Sequence, residues 1–546
     1  MNFIENESRQ KLRGGYYTPE DLAVFICKWI RHIAPRRVLE PSCGDGVFFS
    51  ALAHVQGFET AEITGFEIEP EEAQKAQRRA SEAGLSGTRV IAEDFLQWAL
   101  TQFRSPHAGI DAVVGNPPFI RYQYLPEEFQ ANAHEVFDAL GLPFTRHTNA
   151  WVPFILASIR LLRPGGRLAM VIPAEIIHVT HAQSLRSYLG RECRRLVVID
   201  PEELWFTDTL QGAVILLAEK KHSADEAGVG LGIYPVRGRQ FLEHDPADIF
   251  NAPQAMNGKT VQGKWTRALL DAETRSLVDT LEQHRDVHVF KNIAKVDVGI
   301  VTGANKFFLV PDSVVHEYRL HDWAHPMFGR SEHCPGIIYD ARQHQENSSR
   351  GNPTNFLWFN EAHGKIDPAA RAYIEFGEQQ KLHTRYKCRV RKPWYTVPSV
   401  YATEIGMLKR SHHTPRLILN RVGAYTTDTA YRISTAKVPA EKLVGCFVNP
   451  LTALSAELEG RHYGGGVLEL IPSEIERLLI PLPEQPAFDL NELDTAIRTA
   501  STESVLERQG EIVLGGIGLS AAQQQCLLDG WRRLRDRRHR VSESDD

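Results

Sequence analysis

Arg37-Val38-Leu39-Glu40-Pro41-Ser42-Cys43-Gly44-Asp45-Gly46 reads as a short apolar strand that ends in an acid and runs into a glycine turn. Glycines at such a turn let the backbone approach a ligand closely. The turn has G-x-G without a third glycine, so it is not the dinucleotide fingerprint. Outward from it the same unit recurs. Ile63 to Phe66 is followed by Glu67, Val90-Ile91-Ala92 by Glu93-Asp94, and Asp111 to Gly115 by Asn116-Pro117-Pro118-Phe119. Leu168 to Ile172, after the Pro164-Gly165-Gly166 turn, and then Leu196 to Ile199 and Ala213 to Leu217 complete seven strands. Helical segments such as 70–83 and 151–162 intervene. This alternation predicts an α/β domain whose ligands bind outside the carboxyl ends of the strands.

Several strands end in polar residues at that edge. Glu67 can accept two hydrogen bonds from ribose hydroxyls, and Asp94 can accept one from an adenine amino group. Each acid alone is more often a solvated strand end. Three in register (Glu40, Glu67 and Asp94), with a glycine turn, point to an adenosine-bearing cofactor. Upstream, Thr18-Pro19-Glu20-Asp21 has the grammar of a helix start, with Thr18 able to cap and Pro19 suited to the first helical position.

Asn116-Pro117-Pro118-Phe119 carries the chemistry. Two prolines after a buried strand end the hydrogen-bond ladder and stiffen the backbone. They present the Asn116 side-chain oxygen and the Pro117 carbonyl as fixed acceptors for both hydrogens of one amino group. Preorganised dipoles of this kind stabilise charge that develops on the nitrogen, and alignment does the rest. Phe119 offers a face for a planar base. The plain alternative is a rigid turn with a packed Phe.

The bulk numbers bound the class. The 546 residues exceed one ordinary core, so two or three domains are expected. With 42% hydrophobic and 24% charged residues, the chain has a globular composition rather than a disordered one. No apolar run reaches the ~18 residues of a membrane span, and residues 1–13 do not read as a signal peptide. Seven cysteines without a CxxC pair support neither a disulfide framework nor a zinc site, and no metal site is expected.

The motifs together resemble the gamma class of amino-methyltransferases of restriction–modification systems, specifically the TaqI-like N6-adenine enzymes. Tyr17-Thr18-Pro19, Leu39 to Gly46 and Asn116 to Phe119 stand in that family's order. The resemblance implies a Rossmann-like, seven-stranded catalytic domain dependent on S-adenosyl-L-methionine over residues 1–222. It implies a mixed α/β target-recognition domain over residues 223–546, beyond the charged, Gly-containing stretch Lys220 to Gly232. It gives Thr18 and Glu40 the methionine end of the cofactor, Glu67 the ribose, and Asp94 the adenine amino group. Pro41, Ser42, Cys43, Gly44, Ile68 and Phe95 lie beside these. Pro118 and Phe154 flank the cofactor's adenine, although Phe154 reads equally well as core. The family's base-stacking aromatic falls on Phe206, with Trp205 as the fallback. Phe119 departs from the more frequent Tyr, which leaves stacking intact.

The resemblance makes the later chain a DNA reader. Its net charge of −6 hides a basic run: from Lys381 to Ala440 twelve Lys or Arg face two acids, Glu404 and Asp428, with aromatics interleaved. Arg391, Lys392, Trp394 and Tyr395 are the candidate DNA contacts. A solvated basic face with core aromatics is the alternative. The implied partners are duplex DNA with a flipped adenine and, functionally, a cognate restriction endonuclease. The chain is expected to be a monomer in the bacterial or archaeal cytoplasm, off the membrane. N4-cytosine methylation, an RNA or protein-glutamine substrate, a non-catalytic DNA-binding protein and a fused nuclease are the competing readings. Asn116 favours adenine over cytosine, and the length beyond residue 222 favours DNA. The segment 531–540 reads as a basic tail and 542–546 as a frayed acidic end.

Overall fold

The computed structural model describes residues 18–104, 109–120, 122–146, 148–203, 205, 212–360, 365–463 and 465–539. The chain forms two compact units, divided between Leu269 and Leu270. The first is built on one eight-stranded sheet with strand order β3-β2-β1-β4-β5-β7-β6-β8. Its strands are β1 (Arg37–Glu40), β2 (Glu62–Phe66), β3 (Thr88–Ile91), β4 (Ile110–Gly115), β5 (Leu162–Pro173), β6 (Cys193–Pro201), β7 (Ala213–Lys220) and β8 (Gly230–Val236). β1 to β5 run parallel, while β7 is antiparallel to both β5 and β6.

The strands bury both faces by period-two alternation. Val38, Ala112, Val114, Ala169 and Val171 point to one layer, with α1 (Glu20–Arg31) and α2 (Val47–Val55). Leu39, Val113, Leu168, Met170 and Ile172 point to the other, with α4 (Phe95–Gln102), α5 (Glu127–Ala139), α6 (Trp151–Leu161) and α7 (Gln183–Glu192). The helix α3 (Pro70–Glu82) contributes only alanines, Ala73, Ala76 and Ala80, to buried positions. Each fully buried Leu, Ile or Phe contributes about 1.5–3 kcal/mol, so these two layers dominate the unit's stability.

Three expectations change here. Seven strands become eight, because Gly230–Val236 pairs in parallel with β6 from Arg195↔Gly230 to Pro201↔Val236. The boundary at residue 222 therefore falls inside the sheet, and the first unit ends at Leu269. Thr18 caps nothing: the first helix begins at Glu20 behind Pro19 and has no side-chain cap.

The second unit is mixed α/β. A five-stranded sheet joins Lys295–Val298, Ala430–Ser434, Ile405–Leu408, Leu417–Asn420 and Ile338–Tyr339. An aromatic core gathers Phe307, Phe308, Trp323, Phe359, Tyr373 and Trp394. The expected basic tail is the end of the helix Ala521–His539. There Arg535 pairs with Glu503 at 2.6 Å, and the fully buried Arg538 pairs with the fully buried Glu457 at 2.7 Å. The segment 542–546 lies outside the described residues.

Truncation tests the boundary. Residues 1–269 should unfold in one cooperative urea transition. Residues 1–222, which leave the edge of β6 unpaired, should show a broad or absent one by circular dichroism.

Candidate functional site

The strand order reverses between β1 and β4, which lie side by side with Val38↔Ala112 and Leu39↔Val113 in register. Such a switch point opens a crevice at the carboxyl edge. The glycine turn leaves β1 there. Gly44 has φ +52° and open space where a Cβ would stand. Gly46 has φ +87°, and a Cβ would meet the Ala76 backbone at 3.0 Å. The turn can thus pack on α3 on one side and stay open on the other.

Glu40 ends β1 at 1% exposure, and its Oε2 has no partner among the described residues. Burial, and then the charges of Asp45 and Glu67, hold its carboxyl well above the ordinary range, while Arg79 pulls the other way. Arg79, on α3, spans the turn, donating from Nη1 to Asp45 at 2.9 Å and from Nε to the Ser50 hydroxyl at 2.7 Å. Glu67 accepts from the backbone N–H of Gly44 and of Glu69, both at 3.0 Å. Burial raises its carboxyl too. Ile68 beside it is 59% exposed, an apolar surface at the rim. Asp94 caps α4 by accepting from Leu96 N–H at 2.9 Å, and its other oxygen accepts from Asn132 Nδ2 at 2.8 Å.

The Asn116–Phe119 segment leaves β4 at the same edge. The Ser42 hydroxyl donates to the Asn116 backbone carbonyl at 3.1 Å, tying this segment to the glycine turn. Asn116, Pro118 and Phe119 are half-buried, and Pro117 is buried. The structure thus brings Glu40, Pro41, Ser42, Cys43, Gly44, Glu67 and Asn116 together around one crevice edge.

Other expected residues sit differently. Phe95 and Phe154 are core, at 2% and 5% exposure, with ring centroids 5.3 Å apart. Phe129 stacks on Phe154 at 6.0 Å, so Phe154 is part of the core packing. Trp205 is 7% exposed and stacks on Phe241 at 5.7 Å, so it is a core residue. Phe206 lies outside the described residues. In the second unit, Arg391 donates to the Thr302 and Val301 carbonyls, both at 2.7 Å. Trp394 is 8% exposed and donates to Glu378 at 2.9 Å. Arg391, half-buried, is thus tied to the 301–302 backbone, and Trp394 to the core. Tyr395 is half-buried against Phe359, and Lys392 is exposed. Arg79 and Asn132 escaped the sequence reading because their partners lie 34 and 38 residues away, where no local spacing signals a contact.

The N-6 DNA Methylase family model matches residues 2–314, more than half of the 546 residues. The model of the C-terminal domain of the type II methyltransferase M.Eco57I matches residues 262–514. The chain is similar to the type II methyltransferase M.AccI of Acinetobacter calcoaceticus, 23% identical over 489 residues that cover 87% of this chain and 86% of that one. M.XamI of Xanthomonas campestris pv. amaranthicola is 24% identical over 493 residues, 86% and 85% of the two chains. M.TthHB8I of Thermus thermophilus is 31% identical over 233 residues, 41% of this chain and 47% of that one.

The fold is that of the S-adenosylmethionine-dependent α/β methyltransferases. The chain belongs to the N-6 DNA methylase family: it is a DNA methyltransferase of the restriction–modification type. Among the described residues, no helix is long and apolar enough to cross a membrane.

Glu40 gives a test of the site's electrostatics. A carboxyl whose folded pKa lies above its ordinary 4.5 costs stability once pH exceeds that value, and the cost grows until the folded pKa is passed. Glu40→Gln should therefore raise the Tm of the ligand-free protein by about 3 °C at pH 7.5, with the gap closing toward pH 4.5. A gap equal at both pH values in scanning calorimetry would assign the effect to packing instead of charge.

Proposed function

We propose that the chain transfers a methyl group to N6 of an adenine rotated out of duplex DNA, using Asn116 and the Pro117 carbonyl as acceptors for the amino hydrogens. The observation that carries this reading is the Asn116–Phe119 segment at the carboxyl edge of β4, pinned to the glycine turn through Ser42 at 3.1 Å. Two oriented acceptors fix the amino group and stabilise the positive charge it acquires. Phe119 offers its ring to the base.

The donor S-adenosylmethionine supplies an electrophilic methyl group when bound. Residues at the edge fit it. The buried, unpartnered oxygen of Glu40 suits an ammonium group, which would also draw the carboxyl back to its ionised form. Glu67 keeps lone pairs for ribose hydroxyls beyond the two amides it already accepts from. Asp94, held by Asn132, suits the adenine amino group, and exposed Ile68 suits an adenine face. Thr18 and Pro118 flank these groups in the same reading. Phe95 and Phe154 support the crevice from the core.

For DNA, the exposed cations between residues 381 and 392 extend the candidate contacts at Arg391 and Lys392. Lys381, Arg385, Lys387, Arg389 and Lys392 are all exposed, and no acid occurs between Glu378 and Glu404. Tyr386 is 67% exposed, with Lys387 and Arg389 at 6.0 and 5.7 Å from its ring. Cations meet phosphates, and an open aromatic meets sugar or base. The biological setting is the modification half of a restriction–modification pair, with a cognate endonuclease acting on the same site.

The deciding experiment incubates the protein with unmethylated DNA and labelled S-adenosylmethionine, then identifies the labelled nucleoside. N6-methyladenine is expected; label in N4-methylcytosine, or none in DNA, overturns the reading. Asn116→Ala should lower kcat at least about 100-fold with cofactor affinity unchanged by calorimetry. Lys387→Glu with Arg389→Glu should weaken DNA binding and reduce the slope of log K against log salt by about 2, as read from titrations at several salt concentrations.

A further inference from the structure

β5 ends at Pro173, and the chain then passes through Ala174–Ile177 and Thr180–Ala182 before α7 begins. This strap stands at the carboxyl edge beside the end of β4, because Gly115 lies opposite Met170 in the parallel pair. Arg186 of α7 holds it. That guanidinium is fully buried, and its four hydrogen bonds go to uncharged oxygens. Nη1 donates to the carbonyls of Ile176 and Val179, both at 2.9 Å. Nε donates to Gly263 at 2.6 Å, and Nη2 to the Gln183 side chain at 2.9 Å. A buried cation persists where its donors are met, so the strap carbonyls are fixed as firmly as the arginine.

The strap carries Glu175, whose Oε2 accepts from Asn149 Nδ2 at 2.9 Å. The next residue, Ala150, donates its backbone N–H to the Ile120 carbonyl at 2.8 Å, one residue past Phe119. A path of hydrogen bonds thus runs from Arg186 through the strap, Glu175 and Asn149–Ala150 to the end of the Asn116–Phe119 segment. The other end of that segment is tied by Ser42. Both ties matter physically. Proline fixes φ but leaves ψ free, so Pro117-Pro118 alone does not hold two acceptors in one orientation.

We propose that Glu175 is a positioning residue for methyl transfer, acting through Asn149 to fix the far end of the Asn116–Phe119 segment. This rests on the assignment of Asn116 above. Small displacements of acceptors cost rate more than affinity, because alignment is needed at the transition state and not for binding the donor or the DNA.

The test compares Glu175→Ala, Glu175→Gln, Asn149→Ala and the Ala double variant in the full chain. Readouts are steady-state kinetics on DNA, cofactor affinity by calorimetry, and Tm. Glu175→Ala should lower kcat about 30-fold while KM for DNA, cofactor affinity and Tm stay near wild type. Glu175→Gln keeps an oxygen acceptor in place and should recover most of kcat. Asn149→Ala should match Glu175→Ala, and the double variant should lose little more, since one path is cut once. A wild-type kcat in Glu175→Ala, additive losses in the double variant, or a loss that Gln does not rescue overturns the proposal. A kcat loss accompanied by a large fall in Tm in both Glu175 variants does so as well. Asn116→Ala runs in parallel. If it retains turnover, the site assignment fails; if it is inactive while Glu175→Ala is unaffected, only the positioning role fails.

Discussion

The parallel pairing of β1 with β4 is the constraint from which the site follows. Leu39 lies opposite Val113, so the two strands end within about one residue of each other at the same edge. Beyond them the chain does two different things. After β1 it turns through Gly44 and Gly46 toward α2. After β4, Pro117 and Pro118 offer no N–H to continue a ladder, and the strand stops. β5 continues to Pro173, paired there only with β7, three residues past its last pairing with β4 at Met170. The edge is therefore stepped, with the turn and the Asn116 segment recessed between longer neighbours.

That recess is electrically unusual. Glu40 crowds with Asp45 and Glu67, Arg79 pulls against them on Glu40, and burial raises both Glu40 and Glu67. Such an arrangement costs stability in the ligand-free protein. It is understandable if a positive group completes it.

The sequence made the sheet edge legible because the chemistry there needs residue types that are locally abnormal. Acids end apolar strands at Glu40 and Glu67, and two prolines follow a buried strand. Each violates the pattern of its surroundings and so stands out. What stayed hidden was set by distant packing. Gly230–Val236 has two glycines and a proline and reads as linker, yet it completes the sheet against β6. Phe154 has spacing that suits either a rim or a core, and its contacts with the rings of Phe95 and Phe129 come from residues no local pattern links to it. Arg391 and Trp394 stand out through the family resemblance, and that Arg391 also holds the Val301 and Thr302 carbonyls was not legible locally.

Charge bookkeeping shows the same dependence on place. A net −6 argues against a polyanionic partner if charge is averaged over the chain. The field at a surface decays over about 10 Å at ordinary ionic strength, so the relevant sum is local. In the second unit, acids such as Glu457, Glu474 and Glu469 are spent inside, on Arg538, Arg461 and Arg410. Arg538 is withdrawn with Glu457, whereas Arg410 stays exposed, so the surface sign at any point is set by the residues exposed there. At 381–392 those residues are lysines and arginines around an open tyrosine. A chain of net charge −6 can therefore carry a locally basic stretch without contradiction.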